Sequence, residues 1–142
     1  MGNPNGLIVD AGPLFAIADV ADRHHGECLD LLSSHRGPLI VPTLVITEVA
    51  YLLGRRLGAR AEVLFAQDLA LGTFHVDAVH PGDWVRIAEL VAAYRDFPLG
   101  MADASVIVCA ERHGINELAT LDQGHFAAVR PRHVRAFNLL PG

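Results

Sequence analysis

Four carboxylates stand out in this 142-residue chain because each interrupts apolar sequence: Asp10, Glu48, Asp103 and Asp122. Asp10 follows Leu7-Ile8-Val9 and precedes Ala11-Gly12-Pro13. Glu48 stands among Val45, Ile46, Val49, Leu52 and Leu53, and Asp103 runs into Val106, Ile107, Val108 and Cys109. Asp122 closes Ala119-Thr120-Leu121. Other acids, such as Asp19, Asp22, Glu62, Asp68 and Glu89, fall mostly on polar faces or in loops. A carboxylate on a buried face costs several kcal/mol unless it is paired, protonated or bound to a metal. Four in one place would repel and raise each other's pKa. The chain has no lysine, only 11 arginines, few of them near these acids in sequence. A divalent cation is therefore the natural partner, and oxygen-only donors favour Mg²⁺ or Mn²⁺ over zinc. Each acid alone has a plainer reading, Asp10 and Asp122 as helix caps and Asp103 as a favourable charge near a helix start. Convergence of all four separates the two readings.

Convergence depends on the elements that carry them. Short apolar runs bounded by turn residues predict strands at Leu7–Val9, Leu39–Val41, Thr73–Val76, Leu118–Leu121 and Ala136–Leu139. Helical patterns fill the gaps: Pro13–Val20 and His24–His35, Leu44–Leu57 and Ala59–Leu71, then Pro81–Arg95 and Met101–His113. A short helix is expected after Asp122, and Thr43 is read as the cap of the helix carrying Glu48. Strands alternating with helices predict an α/β protein, a three-layer α/β/α sandwich around a mostly parallel sheet. In such sheets ligands bind outside the carboxyl ends of the strands. Asp10 and Asp122 end strands in this reading, Glu48 follows the second strand by a turn and a half, and Asp103 lies near the start of its helix.

Composition narrows the classes. The 51% hydrophobic content excludes a disordered chain, and the length suits one domain over residues 1–142. Cys28 and Cys109 lack CxxC spacing and read as reduced residues of a cytoplasmic protein. No apolar stretch reaches the length of a membrane span. Without lysine, P-loop and Schiff-base chemistry are excluded. His24-His25 is a poor chelate, because adjacent helical residues point apart. His113 and His133 read as incidental, and Trp84 as packed within its helix.

Taken in order, Leu7-Ile8-Val9-Asp10, Thr47-Glu48-Val49-Ala50-Tyr51-Leu52-Leu53, Leu99-Gly100-Met101-Ala102-Asp103-Ala104 and Thr120-Leu121-Asp122 resemble the PIN-domain family, most of all the VapC toxins of bacterial VapBC toxin–antitoxin pairs. The acids are separated by 38, 55 and 19 residues, and the resemblance covers essentially the whole chain. It implies a five-stranded parallel sheet and a divalent-metal ribonuclease with its site at Asp10, Glu48, Asp103 and Asp122. It further implies Mg²⁺, with Mn²⁺ as the alternative, hydrolysis of a structured RNA such as tRNA or rRNA, a homodimer, and an antitoxin covering the acidic site. Two departures stand out. Ala11-Gly12 lacks the hydroxyl that relatives often carry there, and Gln123-Gly124-His125 offers no further acid. These leave open whether one or two ions bind.

Thr120 and Ser105 are candidates to hydrogen-bond the acids from behind. The net charge of −5 requires local cations to hold RNA. Arg130, Arg132 and Arg135 are the expected phosphate contacts, whereas Arg55, Arg56 and Arg60 are expected to meet either RNA or antitoxin. Other readings are a PIN nuclease of RNA processing with no toxin role, and a catalytically silent PIN-fold binding module. A phosphoacceptor receiver domain needs a late lysine, and a haloacid-dehalogenase phosphatase needs a second aspartate where Gly12 stands.

Overall fold

A run of three apolar residues suits a strand covered on both faces, and the central strand here is one. In a computed structural model describing residues 2–142, β1 (Leu7–Val9) is fully buried, flanked by parallel neighbours on both sides. β2 (Leu39–Pro42) pairs with it through Leu7↔Leu39 and Ile8↔Ile40. β4 (Glu117–Ala119) pairs on the other side through Ile8↔Leu118 and Val9↔Ala119. β3 (His75–Asp77) and β5 (Asn138–Leu140) form the edges, and the sheet order is β3-β2-β1-β4-β5, parallel throughout.

Helices fill the crossovers. α1 (Ala11–Ala18) and α2 (His25–Ser34) follow β1, and α3 (Thr43–Arg56) and α4 (Ala59–Leu71) follow β2. α5 (Asp83–Ala93) and α6 (Met101–His113) follow β3, and the short α7 (Gln123–Ala128) follows β4. The five-stranded parallel α/β architecture expected from the sequence is what forms. The bounds of α4 and α6 coincide with their sequence patterns. β3 and β5 begin two residues later than expected, and β4 ends two residues earlier. α6 is the apolar spine: Ala104–Ala110 are all buried, and it packs on α5, α3, β1 and β2. Among the described residues no helix is long and apolar enough to cross a membrane.

One topological fact positions the site. From β1 the chain steps to β2 and β3 on one side, then returns to β4 and β5 on the other. The carboxyl ends of β1 and β4 therefore flank a switch point, where the crossovers diverge and leave a crevice.

Candidate active site

Asp10 leaves β1 at the N-cap position of α1, its amide donating to the Ala119 carbonyl at 2.9 Å. Asp122 occupies the N-cap position of α7, three residues past β4. Neither side chain makes a helix-capping hydrogen bond, so the plainer reading of each as a cap does not account for it. Glu48 lies on the second turn of α3, and Asp103 in the first turn of α6. All four, with Ala11, Gly12, Leu52 and Leu121, line a single cleft of about 350 Å³. Gly12 matters by its smallness, since a Cβ there would sit 3.1 Å from Leu121 Cβ. A larger cleft of about 840 Å³, lined by residues such as Asn3, His35, Arg36 and Asn116, contains one acid, Glu117.

Thr120 ties the two strand-end acids together. Fully buried, its hydroxyl donates to Asp10 Oδ2 at 2.8 Å and accepts the Asp122 amide at 3.0 Å. Its own amide donates to the Leu140 carbonyl of β5 at 2.9 Å. Ser105 does not join the acids: its hydroxyl donates to the Ala102 carbonyl at 2.6 Å, one turn back on its own helix. Thr43 does not cap α3 either. Pro42 holds the cap position, and the Thr43 hydroxyl donates to the Asp77 carbonyl at 3.2 Å.

The electrostatics of the cleft follow from burial and crowding. Burial pushes Asp10 up to about 6; the Ala11 amide and the Thr120 hydroxyl pull down, and Asp103 and Glu48 push up again. Glu48 is raised by burial, then by the charges of Asp103 and Asp122. Asp103 is raised by burial and by Asp122, with His125 and the Gly100 amide opposing. No arginine forms a salt bridge with any of the four among the described residues. Asp10, Glu48 and Asp103 form no ion pair among the described residues, Asp122 has His125 beside it, and all four offer oxygen donors, which suits a hard divalent ion. The same donors could hold Mg²⁺ or Mn²⁺.

The compact donor set among the described residues lies elsewhere. Atoms of Asp77, Cys109 and His113 come within 4.8 Å of one another. That group is already filled. Arg112 grips Asp77 with two prongs at 3.0 and 2.8 Å and also reaches Asp83, while His113 Nε2 lies 2.9 Å from Asp77 Oδ1. Burial pushes Asp77 up, but its Arg112, His113 and Cys109 partners outweigh that and hold it at about 2. Burial pushes the Cys109 thiol well above its ordinary value. A guanidinium already occupies the place a metal would need, so this is an ion-paired brace between β3 and α6. His113 is therefore part of that brace and not incidental: it also accepts the Asn3 amide on Nδ1 at 3.1 Å.

The arginines divide. Arg132 lies away from the acids, its guanidinium on Glu89 at 2.9 Å and its amide on Glu111 at 2.8 Å. Glu111 stands eight residues beyond Asp103 on α6, roughly 12 Å along the axis. Arg130 is exposed beside Tyr94, whereas Arg135, also exposed, follows His133, whose Nε2 lies 2.6 Å from the Ile115 carbonyl past the end of α6 remote from Asp103. Arg55, Arg56 and Arg60 are exposed at the α3–α4 turn, with the Arg56 guanidinium over the Phe15 ring at 5.4 Å. His24 pairs with Glu27 at 2.5 Å, and His25 Nδ1 lies 2.8 Å from the Ala16 carbonyl, so the pair of histidines forms no chelate. Trp84, expected in the packing of α5, is 44% exposed. The residue that sequence reasoning passed over is His125, whose Nδ1 lies 2.5 Å from Asp122 Oδ2. The signal for it was the three-residue spacing from Asp122 within one helical turn.

Comparisons with known proteins agree with this fold. The family model of the PIN domain matches residues 7–130. Ribonuclease VapC26 of Mycobacterium tuberculosis (strain ATCC 25618 / H37Rv) is 31% identical over 135 residues, spanning 95% of this chain and all of that protein. Two solved structures share the architecture. One is Mycobacterium tuberculosis VapC20, described as a Sarcin-Ricin loop cleaving toxin. Its TM-score is 0.80 at 24% identity, over 91% of this chain and 98% of that one. The other is VapBC2 from Rickettsia felis, bound to a DNA fragment from its promoter. Its TM-score is 0.63 at 13% identity, over 85% of this chain and 90% of that one. With four acids meeting at the switch point of a five-stranded parallel sheet and the family model spanning most of its length, the chain belongs to the PIN-domain family.

Proposed function

We propose that this chain is a divalent-metal-dependent endoribonuclease acting as the toxin of a type II toxin–antitoxin pair. The observation that carries the reading is the meeting of Asp10, Glu48, Asp103 and Asp122 in one cleft with no arginine to neutralise them. The relative at 31% identity bears the name ribonuclease, in keeping with it. Asp10 and Asp103 would hold Mg²⁺ or Mn²⁺ directly, Glu48 would bind it or orient its water, and Asp122 would complete the set. When bound, a divalent cation supplies a Lewis acid that neutralises phosphate charge and lowers the pKa of water. The protein does the placing. Thr120 fixes the Asp10 carboxylate through Oδ2 and holds the Asp122 loop by its amide. Leu52 and Leu121 supply apolar walls that limit solvent around the acids.

Structured RNA, tRNA or rRNA, is the proposed substrate, with exposed Arg130 as a phosphate contact. The proposed antitoxin covers the acidic cleft. Beside it an apolar groove of about 260 Å³, lined by Leu14, Ile17, Leu53, Ala61, Leu64 and Phe65, suits an amphipathic segment of that partner. A homodimer is proposed through the exposed apolar face of α5, where Trp84, Val85 and nearby Met101 lie open to solvent. Light scattering of Val85→Glu against the parent chain tests that face. The functional test is cleavage of a panel of tRNA and rRNA fragments. Mg²⁺ or Mn²⁺ should be required, and Asp10→Asn should abolish cleavage in a folded protein. Cleavage that persists in Asp10→Asn or in EDTA refutes the site. Growth arrest on expression, relieved by a co-expressed antitoxin, tests the toxin role.

A further inference from the structure

Helix α3 presents two faces of opposite character. Val45, Val49 and Leu53 are buried, and Leu53 lines the apolar groove shared with α4. The other side carries Glu48 and Leu52, which wall the acidic cleft. Residues three and four apart, and again seven apart, share one face of a helix. Tyr51 stands three residues after Glu48, and Arg55 stands seven after it, almost two full turns along and nearly in line. Both extend the cleft wall, Tyr51 by about 4.5 Å along the axis and Arg55 by about 10.5 Å. Side chains on a helix lean toward its N-terminus, which for these two is the direction of Glu48. Tyr51 is 65% exposed and has no aromatic or cationic partner for its ring among the described residues. Arg55 is exposed and forms no ion pair among them, whereas Arg86, Arg112 and Arg132 are held by acids and Arg56 covers Phe15.

We infer that Tyr51 and Arg55 form the substrate-holding rim of the acidic cleft: Tyr51 stacks on an unpaired base beside the scissile phosphate, and Arg55 contacts the phosphate of a neighbouring nucleotide. The inference rests on the ribonuclease reading of that cleft given above. An open aromatic ring next to an unpaired guanidinium matches both parts of a single-stranded nucleotide, the π face of its base and the charge of its backbone. Four acids repel a polyanion, and a cation on the same wall offsets that repulsion where the strand enters. Leu53 is two residues from Tyr51 and two from Arg55, and two residues turn a helix by about 200°. The rim therefore faces away from the groove proposed for the antitoxin, which favours RNA as its occupant. Neither side chain reacts; both position the substrate.

Cleavage kinetics of the full-length protein on the panel of tRNA and rRNA fragments, in Mn²⁺ and across a salt series, test the rim. Tyr51→Ala should raise KM about tenfold with a smaller effect on kcat, and Tyr51→Phe, which keeps the ring, should restore KM. Arg55→Ala should raise KM and flatten the salt dependence of kcat/KM by about one unit of slope, and Arg55→Lys should recover the slope. Both side chains are exposed, so all four variants should melt with the parent protein. Metal-dependent cleavage with the wild-type KM and salt slope in Tyr51→Ala and Arg55→Ala overturns the rim and leaves the acidic site standing. That result is the one expected if this face meets the antitoxin instead. Failure of Tyr51→Phe to restore KM overturns the stacking role. Cleavage of no fragment by the wild type overturns the ribonuclease reading and the rim together.

Discussion

Asp10→Asn should make the metal-free protein more stable while removing its activity. Burial and two neighbouring acids raise the Asp10 carboxyl from 3.8 to about 6. At about 1.4 kcal/mol per tenfold change, keeping it ionised in the fold costs about 3 kcal/mol at neutral pH. The sign follows from the folded pKa lying above the unfolded one. The cost is absent below about pH 4, grows between pH 4 and 6 as the unfolded chain gives up its proton first, and is constant above. Asparagine keeps the shape and an oxygen for the Thr120 hydroxyl but carries no charge. In EDTA at pH 7.5, urea denaturation should place the variant about 1–3 kcal/mol above the wild type, less than the full figure because a buried amide is itself costly. The gap should close as the pH is lowered toward 4. Mn²⁺ or Mg²⁺ should stabilise the wild type more than the variant, since the variant has lost a ligand. A variant no more stable than wild type at pH 7.5, with a gap that ignores pH, would refute the reasoning that Asp10 is a strained, buried charge.

Thr120→Val removes the hydroxyl between the two strand-end acids. A loss of about 1–2 kcal/mol in stability is expected, and the Asp10 carboxyl should titrate above about 6 in an NMR titration, because a donor to its charged form is gone. Asp77→Asn breaks the brace to Arg112 and should cost about 3 kcal/mol by denaturation at pH 7. Because Asp77 is held at about 2, its contribution is complete above about pH 4 and drains away as the pH falls toward 2, so the two proteins should converge there. Arg130→Ala should weaken RNA binding and flatten its salt dependence by about one unit of slope. Arg132→Ala should leave the slope alone, because that guanidinium is engaged with Glu89.

How much of this was readable beforehand depends on whether a residue's partner was near it in sequence. The four acids were legible because apolar neighbours on both sides mark a buried position, and because strand ends and first helical turns in a parallel sheet face one edge. The helices were legible from periodicity, and α4 could be delimited because Gly58 and Gly72 take positive φ at its two ends. Asp77 was invisible because its partner Arg112 lies 35 positions away, on an element whose orientation no local pattern reveals. Arg132 looked free for the same reason, its acids being on α5 and α6. Thr43 and Ser105 carry hydroxyls with more than one nearby acceptor, and only the fold decides between them. β4 ends two residues before the apolar run does, and Thr120 just past it still donates its amide to Leu140 while its hydroxyl goes to Asp10, a split no apolar-run reading reveals.

The bond from the Thr120 amide to Leu140 makes the acidic set depend on a strand that carries none of its acids. Gln123, just past the last acid, likewise donates its side-chain amide to the Pro141 carbonyl at 3.0 Å. The loop between β4 and α7 is thus secured by residues that a ribosome adds after every acid has already been made. A nascent chain stopped at Phe137 carries the whole acidic set but not the strand that pins Thr120 beneath Asp10. Order around Asp10 and Asp122 therefore depends on a strand that carries no acid, and a chain cut before Asn138 would keep every acid of the set while losing the bond that holds Thr120 in place.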